Sequence, residues 1–266
     1  MRLSLNEHED AEMFLSELCL GKDAFEKLKI IARYYMDEGR PVDSVRDKLK
    51  EYVANCGESF TLNPWRSMIE LALKSAKKYN AVLINELHIS KPEMERISKI
   101  KGIQARRFCF VLLCLKKYFN AIRPENNGWV CVDHADLMRL ANIKTPMVKQ
   151  AELYRILLSE NLIELPDKPD RVAIHVVFDD MEGDDAMCIT DMRNLGNQYM
   201  MYLGEPYYQC QECGLVVRNP HGSKGTKPFK YCKDCAAKIK IRQSTESAMK
   251  KYYKDISNFE VKIVEV

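Results

Sequence analysis

The sequence holds no apolar run approaching the ~18–20 residues that a bilayer crossing requires. No apolar stretch follows Met1-Arg2 either, so neither a membrane span nor a secretory signal is expected. Paired histidines are also missing. His8 lies in an acidic helical stretch, His88 before a loop, His134 after a cap, His175 in a strand pattern and His221 in a Gly-rich turn. There is no phosphate-cradling glycine loop and no nucleophile–base motif, so an enzyme is not expected. No charge sign dominates: 41 Lys and Arg against 38 Asp and Glu leave a net of +3, which by itself names no partner.

The distribution of charge says more. Tyr207 to Lys254 carries eleven Lys or Arg against three acids, a local net of +8, whereas Asp179 to Asp191 has six acids and no Lys or Arg. This asymmetry predicts a basic C-terminal module behind an acidic joint. The cysteines are likewise uneven. Of ten, four lie in the basic module, and Cys19, Cys56, Cys109, Cys114, Cys131 and Cys188 are scattered through apolar patterns. A secreted disulfide framework would space them regularly, so a reduced, cytoplasmic protein is the expectation.

The four clustered cysteines organise the reading. Cys210-Gln-Glu-Cys213 is followed after eighteen residues, the first of them Gly214, by Cys232-Lys-Asp-Cys235. Two such knuckles can place thiolates on a tetrahedron around one structural Zn²⁺, with Zn–S bonds near ~2.3 Å. Two redox dithiols or two disulfides are the alternatives, but two redox motifs so close together would be unusual. With four thiols present, His221 is not needed as a ligand. Leu215-Val216-Val217 and Phe229-Lys230-Tyr231, around Gly222 and Gly225, predict a hairpin between the knuckles. A helical run from Ala236 to Gln243 follows, giving the order of a treble clef or zinc ribbon.

Residues 1–80 predict helices. Asn6 caps the first, which carries Ala11, Phe14, Leu15 and Leu18 on one side. A second runs from Asp23 to about Glu38 with Phe25, Leu28, Ile31, Ala32 and Tyr35 in phase. A third spans Val42 to about Asn55, and Asn63-Pro64 opens a fourth. The spacing is that of core packing, so the region reads as a platform. Trp65, Tyr34 and Tyr35 make it a candidate surface for a host protein partner.

Ser90-Lys-Pro-Glu93 has the spacing of a capping box, opening a helical region to Ala121 with a kink at Gly102. Its second half, from Arg106 to Leu115, is apolar nearly all round and so belongs at the centre of a domain, with Cys109 and Cys114 as core residues. The elements that follow have the order of a winged helix. A strand at Gly128–Val132 leads to a short helix capped by Asp133, and Thr145-Pro146 begins a second helix to about Glu160. Strands at Leu162–Leu165 and Arg171–Phe178 form the wing across Asp167–Asp170. On the second helix Met147, Ala151, Tyr154 and Leu158 share one face with Leu157 beside them, and Val148, Lys149, Glu152 and Arg155 lie opposite. If that helix enters a major groove, Lys144, Thr145, Lys149 and Arg155 meet the DNA. Glu152 on the same face opposes phosphate and favours a protein partner.

A short amphipathic helix from Asp191 to Leu203 is expected to dock the zinc module. Beyond Gln243 the helix should continue to about Lys254, and Phe259–Val266 alternates like a last strand.

The chain resembles proteins encoded by bacteriophages and integrated mobile elements. The resemblance rests on Arg107–Lys116, Asn127-Gly-Trp-Val130, Thr190–Gly196, Tyr208-Gln-Cys210 and Tyr231-Cys232, spanning roughly residues 90–236. It implies a phage or mobile-element setting and no particular activity. The knuckle separation is also similar to that of GATA-type DNA-binding fingers. Residues between those fingers' cysteines are not matched, so only the fold carries over.

The sequence thus predicts a mainly α (α+β) chain in four parts: a helical domain 1–89, a winged helix-turn-helix domain 90–180, an acidic linker and docking helix 181–205, and a zinc module 206–266. The expected function is a zinc-containing DNA-binding protein acting in transcription control or replication initiation. The alternative is a module that binds a host complex such as RNA polymerase or a defence system. The basic residues assigned to duplex DNA on the zinc module are Lys224, Lys227, Lys230, Lys238, Lys240 and Arg242.

Overall fold

In the computed structural model the described residues are 3–57, 63–166, 173–178, 183–220 and 229–264, excluding the side chains of 63 and 254–264. Among them the chain is mainly helical, with short strands, and no helix is long and apolar enough to cross a membrane. It divides into two compact units, Met1–Leu195 and Gly196–Val266.

The first unit begins with four helices: α1 (Glu7–Glu17), α2 (Ala24–Asp37), α3 (Val42–Asn55) and α4 (Asn63–Lys78). Asn6 caps α1 by accepting from the backbone N–H groups of His8 and Glu9, so that end is fixed by local chemistry. Helix α2 touches the other three. Phe14, Leu28, Ile31, Leu49 and Leu73 are fully buried between them, each contributing roughly 1.5–3 kcal/mol of apolar transfer. Tyr34, Tyr35 and Trp65 pack against this core while only partly buried. Two positions expected inside are exposed, Leu18 and Phe25. Leu18 adopts a left-handed conformation as the C-cap of α1, which turns it off the helix face.

Arg33 is buried where a helix interior would normally carry an apolar residue, and it holds a carboxylate. Its Nη1 donates to both Glu7 oxygens at 2.7 and 2.9 Å. Glu7 Oε2 also accepts from Val82 N at 3.2 Å, and Glu7 N donates to Val82 O. The pair therefore ties α1, α2 and the segment after α4 together.

Strand β1 (Leu87–Ser90) leads into α5 (Lys91–Ser98) through the capping box expected at Ser90, with both reciprocal bonds to Glu93 formed. Helix α5 ends at Ser98 and Gly102, at φ +90°, is the N-cap of the next helix, so the expected kinked helix is two separate ones. Helix α6 (Ile103–Ile122) starts afresh and is the centre of its region. It touches α5, β1, β2 (Trp129–Val130), α7 (His134–Leu140), α8 (Met147–Ser159) and β4 (Ile174–Val176). Phe108 through Leu115 are fully buried, including Cys109 and Cys114.

The strand order β2-β4-β3, with β3 at Ile163–Glu164, is antiparallel throughout. Lys116 on α6 anchors the sheet by donating from Nζ to Val176 O at 2.7 Å. The tip expected at Asp167–Asp170 lies outside the described residues. Part of the acidic stretch expected as a joint is strand β5 (Asp185–Ile189), which pairs antiparallel with β1. The predicted boundary at residue 89 thus falls inside β1, whose partner lies almost a hundred residues away.

The second unit holds α9 (Leu195–Tyr202), β6 (Tyr207–Gln209), β7 (Val216–Arg218) and the long α10 (Lys233–Val264). Asn197 of α9 donates to Val216 O at 2.9 Å, fastening that helix to β7. Two expectations are corrected here. The hairpin pairs β6 with β7, bracketing the first knuckle, and Phe229–Tyr231 is not a strand. The last residues also continue α10 to Val264 instead of forming a strand. A helix satisfies its backbone internally, whereas an isolated strand needs a partner edge.

Candidate functional site

The first knuckle is a turn closed by its own backbone. Gly214 N donates to Cys210 O at 2.9 Å and Cys210 N to Leu215 O at 3.0 Å. Gly214 sits at φ +72°, which explains glycine at that position. The second knuckle is the first turn of α10, and the two are joined by Gln211 N donating to Lys230 O at 2.9 Å. Tyr208 Oη donates to Tyr231 O at 3.0 Å and holds the same seam.

These bonds bring Cys210, Cys213, Cys232 and Cys235 together, with one sulfur from each within 4.8 Å of all the others. Cys213 Sγ and Cys232 Sγ are 3.9 Å apart. Thiolates on a tetrahedral zinc would be about 3.8 Å apart, whereas a disulfide is about 2.05 Å long. None of the cysteines is in a disulfide. Backbone amides face the sulfurs: Cys232 N donates to Cys210 Sγ at 3.2 Å and Cys235 N to Cys232 Sγ at 3.5 Å. Burial opposes ionisation of Cys210, but amides of Cys232, Cys213 and Glu212 outweigh it and lower its pKa to about 6. Cys235 moves the other way, because its hydrogen bond to Cys232 favours the neutral thiol. Four sulfurs gathered this closely can share one cation. The group can hold one metal ion, and an all-sulfur tetrahedron suits zinc or a single iron.

Around this centre Lys230, Lys238 and Lys240 are exposed, as is Lys233, which the sequence pattern did not single out. Arg242 is exposed too, but its Nη2 donates to Glu212 Oε1 at 3.2 Å. Lys224, Lys227 and His221 lie outside the described residues.

In the first unit, α8 exposes the expected face carrying Val148, Lys149, Glu152 and Arg155, but Met147 and Ala151, expected on the core side, are exposed as well. Leu153 and Leu157 are buried and Tyr154 packs its ring on Phe108, while Met147 and Val148 are 77% and 78% exposed. Pro146 is the N-cap of α8, and residues 147–149 of its first turn are exposed. Lys144 and Lys149 are exposed. Arg155 Nη2 donates to Glu152 Oε2 at 2.5 Å. Thr145 Oγ1 is buried with no hydrogen-bond partner among the described residues. Of the four residues assigned to this surface, the two lysines are therefore the best presented. Arg107 from α6 fixes the turn beside them, donating to Asn142 O at 2.7 Å.

His88, expected before a loop, is on β1 and faces Cys188 of β5. Its Nδ1 lies 3.5 Å from Cys188 Sγ and 2.7 Å from Asp185 Oδ2. Thiol and carboxylate meet the same ring nitrogen, so the carboxylate is not placed opposite to orient a general base. Desolvation and the carboxylates of Glu86 and Asp185 push the Cys188 thiol up, the reverse of an activated nucleophile. The signal in the sequence was the alternation Glu86-Leu87-His88-Ile89, which reads as a strand with two polar side chains on one face. No protein-family model, curated protein or solved structure matches the chain.

Proposed function

We propose that this is a zinc-containing DNA-binding protein, with a structural zinc on Cys210, Cys213, Cys232 and Cys235. The observation that carries the reading is the row of exposed lysines, Lys230, Lys233, Lys238 and Lys240, next to a rigid four-cysteine centre. A fixed backbone lowers the ordering cost of meeting phosphates. A first knuckle held within the β6–β7 hairpin and a second on the first turn of α10 support a treble-clef-like module. In the first unit, the order α6, β2, α7, α8 and the sheet β2-β4-β3 support a winged-helix reading. Lys149 on its second helix and Lys144 in the turn before it supply further phosphate or base contacts. The protein acts by binding, in the cytoplasm, in transcription control or replication initiation. The mobile-element setting comes from the resemblance carried by Arg107–Lys116 and the knuckle flanks. Titration of a fluorescent duplex with the full chain at several salt concentrations tests the reading. Salt-sensitive binding supports it, and absence of binding at low salt contradicts it.

A second reading is favoured by Met147 and Val148. Two apolar side chains exposed at the start of α8 fit a protein partner, for which the face carrying Glu152 is also suited. A host complex captured equally well after nuclease treatment, and lost in Met147→Ser/Val148→Ser, would favour it over DNA.

A further inference from the structure

Strands β1 and β5 gather a second set of donor atoms, independent of the four-cysteine centre. The alternation along β1 buries Leu87 and Ile89 and leaves Glu86 and His88 outside. His88 pairs with Cys188 across the antiparallel ladder, so its thiol joins them on that face. One donor atom from each of Glu86, His88 and Cys188 lies within 4.8 Å of the other two. Glu86 Oε1 and His88 Nε2 are 3.5 Å apart. A nitrogen and an oxygen on one tetrahedral zinc would be about 3.4 Å apart.

The second carboxylate has a different place. A bulge between Ile89 and Ser90 shifts the register and sets Asp185 opposite Ser90. Asp185 Oδ2, 2.7 Å from His88 Nδ1, accepts the Nδ1 proton. With the proton on Nδ1, Nε2 on the side of Glu86 is the nitrogen left to bind a metal, and the thiol, 3.5 Å from Nδ1, has to turn toward it on binding. A carboxylate behind a ligating imidazole is the usual outer support of a metal-bound histidine.

We propose that Glu86, His88 and Cys188 form a second, exchangeable site for a first-row divalent metal ion, zinc foremost, with Asp185 orienting the imidazole. One thiolate, one imidazole and one carboxylate are all zinc ligands, and three protein ligands leave the fourth position to water. The paired backbones fix two of the ligands before the metal arrives. The side chains are half exposed, 53% for His88 and 41% for Glu86, so the ion can enter and leave without opening the core. This separates it from the buried four-cysteine centre, whose metal would be held permanently.

The full chain, desalted so that only tightly held metal remains, is titrated with Co²⁺. Thiolate-to-cobalt charge-transfer absorption and elemental analysis for both metals are followed together. The expected result is one further equivalent of metal with a charge-transfer band, while the tightly held zinc stays in place. Cys188→Ser should lose the band and the extra equivalent, and His88→Ala the equivalent. Asp185→Asn should weaken binding by roughly 10–100-fold. Cys131→Ser, at another exposed cysteine, should change nothing. All four side chains are on the surface, and unchanged thermal unfolding checks that each variant is folded. The proposal is overturned if the wild-type chain takes up no further equivalent, if His88→Ala retains it in full, or if Cys131→Ser abolishes it.

Discussion

Cys213 Sγ and Cys232 Sγ, from different knuckles, stand 3.9 Å apart, close to the edge length of a zinc–thiolate tetrahedron and almost twice a sulfur–sulfur bond. One tightly held zinc per chain, surviving desalting, is therefore predicted. Cys232→Ser should release it and abolish hydrogen-exchange protection around β6 and β7, because binding energy of the metal is folding energy of so small a module. Unfolding of the first unit should be unaffected, since its core is separate. Mild acid should release the metal as well, because protons compete for the thiolates. Metal-free protein with four reduced thiols and an intact β6–β7 hairpin would contradict the assignment.

The Glu7–Arg33 pair gives a prediction for the first unit. Its side chains are only 8% and 10% exposed, so removing one partner strands a buried charge. Glu7→Ala should cost about 3–5 kcal/mol in denaturant unfolding. Replacing both residues by Leu and Met should cost much less, because no uncompensated charge remains. A loss below about 1 kcal/mol for Glu7→Ala would show that Arg33 finds water or another acceptor.

At the start of α8, Lys144 and Lys149 are exposed and carry no part of the core. Lys144→Gln/Lys149→Gln should leave the melting temperature within a few degrees of wild type. It should flatten the dependence of log K on log salt for duplex binding by roughly two, at about 0.9 per neutralised phosphate. An unchanged slope would remove α8 from the DNA interface and move weight to the apolar pair Met147 and Val148.

What was legible in the sequence was chiefly what local chemistry decides. The Ser90–Glu93 capping box and the Asn6 cap are made within a few residues, and the cysteine spacing encodes its own geometry. Cys109 and Cys114 sit in an apolar run that could only be interior. Pairing between β1 and β5 was not legible, because an antiparallel partner nearly a hundred residues away leaves no local mark beyond alternation. The acidic residues of β5 disguised a strand as a linker. On α8, helical spacing alone could not tell which turn first meets α6, so Met147 was expected inside and is outside. Buried Arg33 was missed because its partner lies on another helix.

The central claim is that the zinc-held lysines meet a nucleic-acid backbone, and the salt dependence of binding tests it most directly. Log K for a labelled duplex is measured against log salt for the wild-type chain and for Lys230→Gln/Lys238→Gln/Lys240→Gln. These exposed side chains can be neutralised without disturbing the cysteines. The predicted slope is shallower by close to three, at roughly 0.9 for each phosphate no longer neutralised, with zinc content unchanged. The same slope in the triple variant and in the wild-type chain would contradict it.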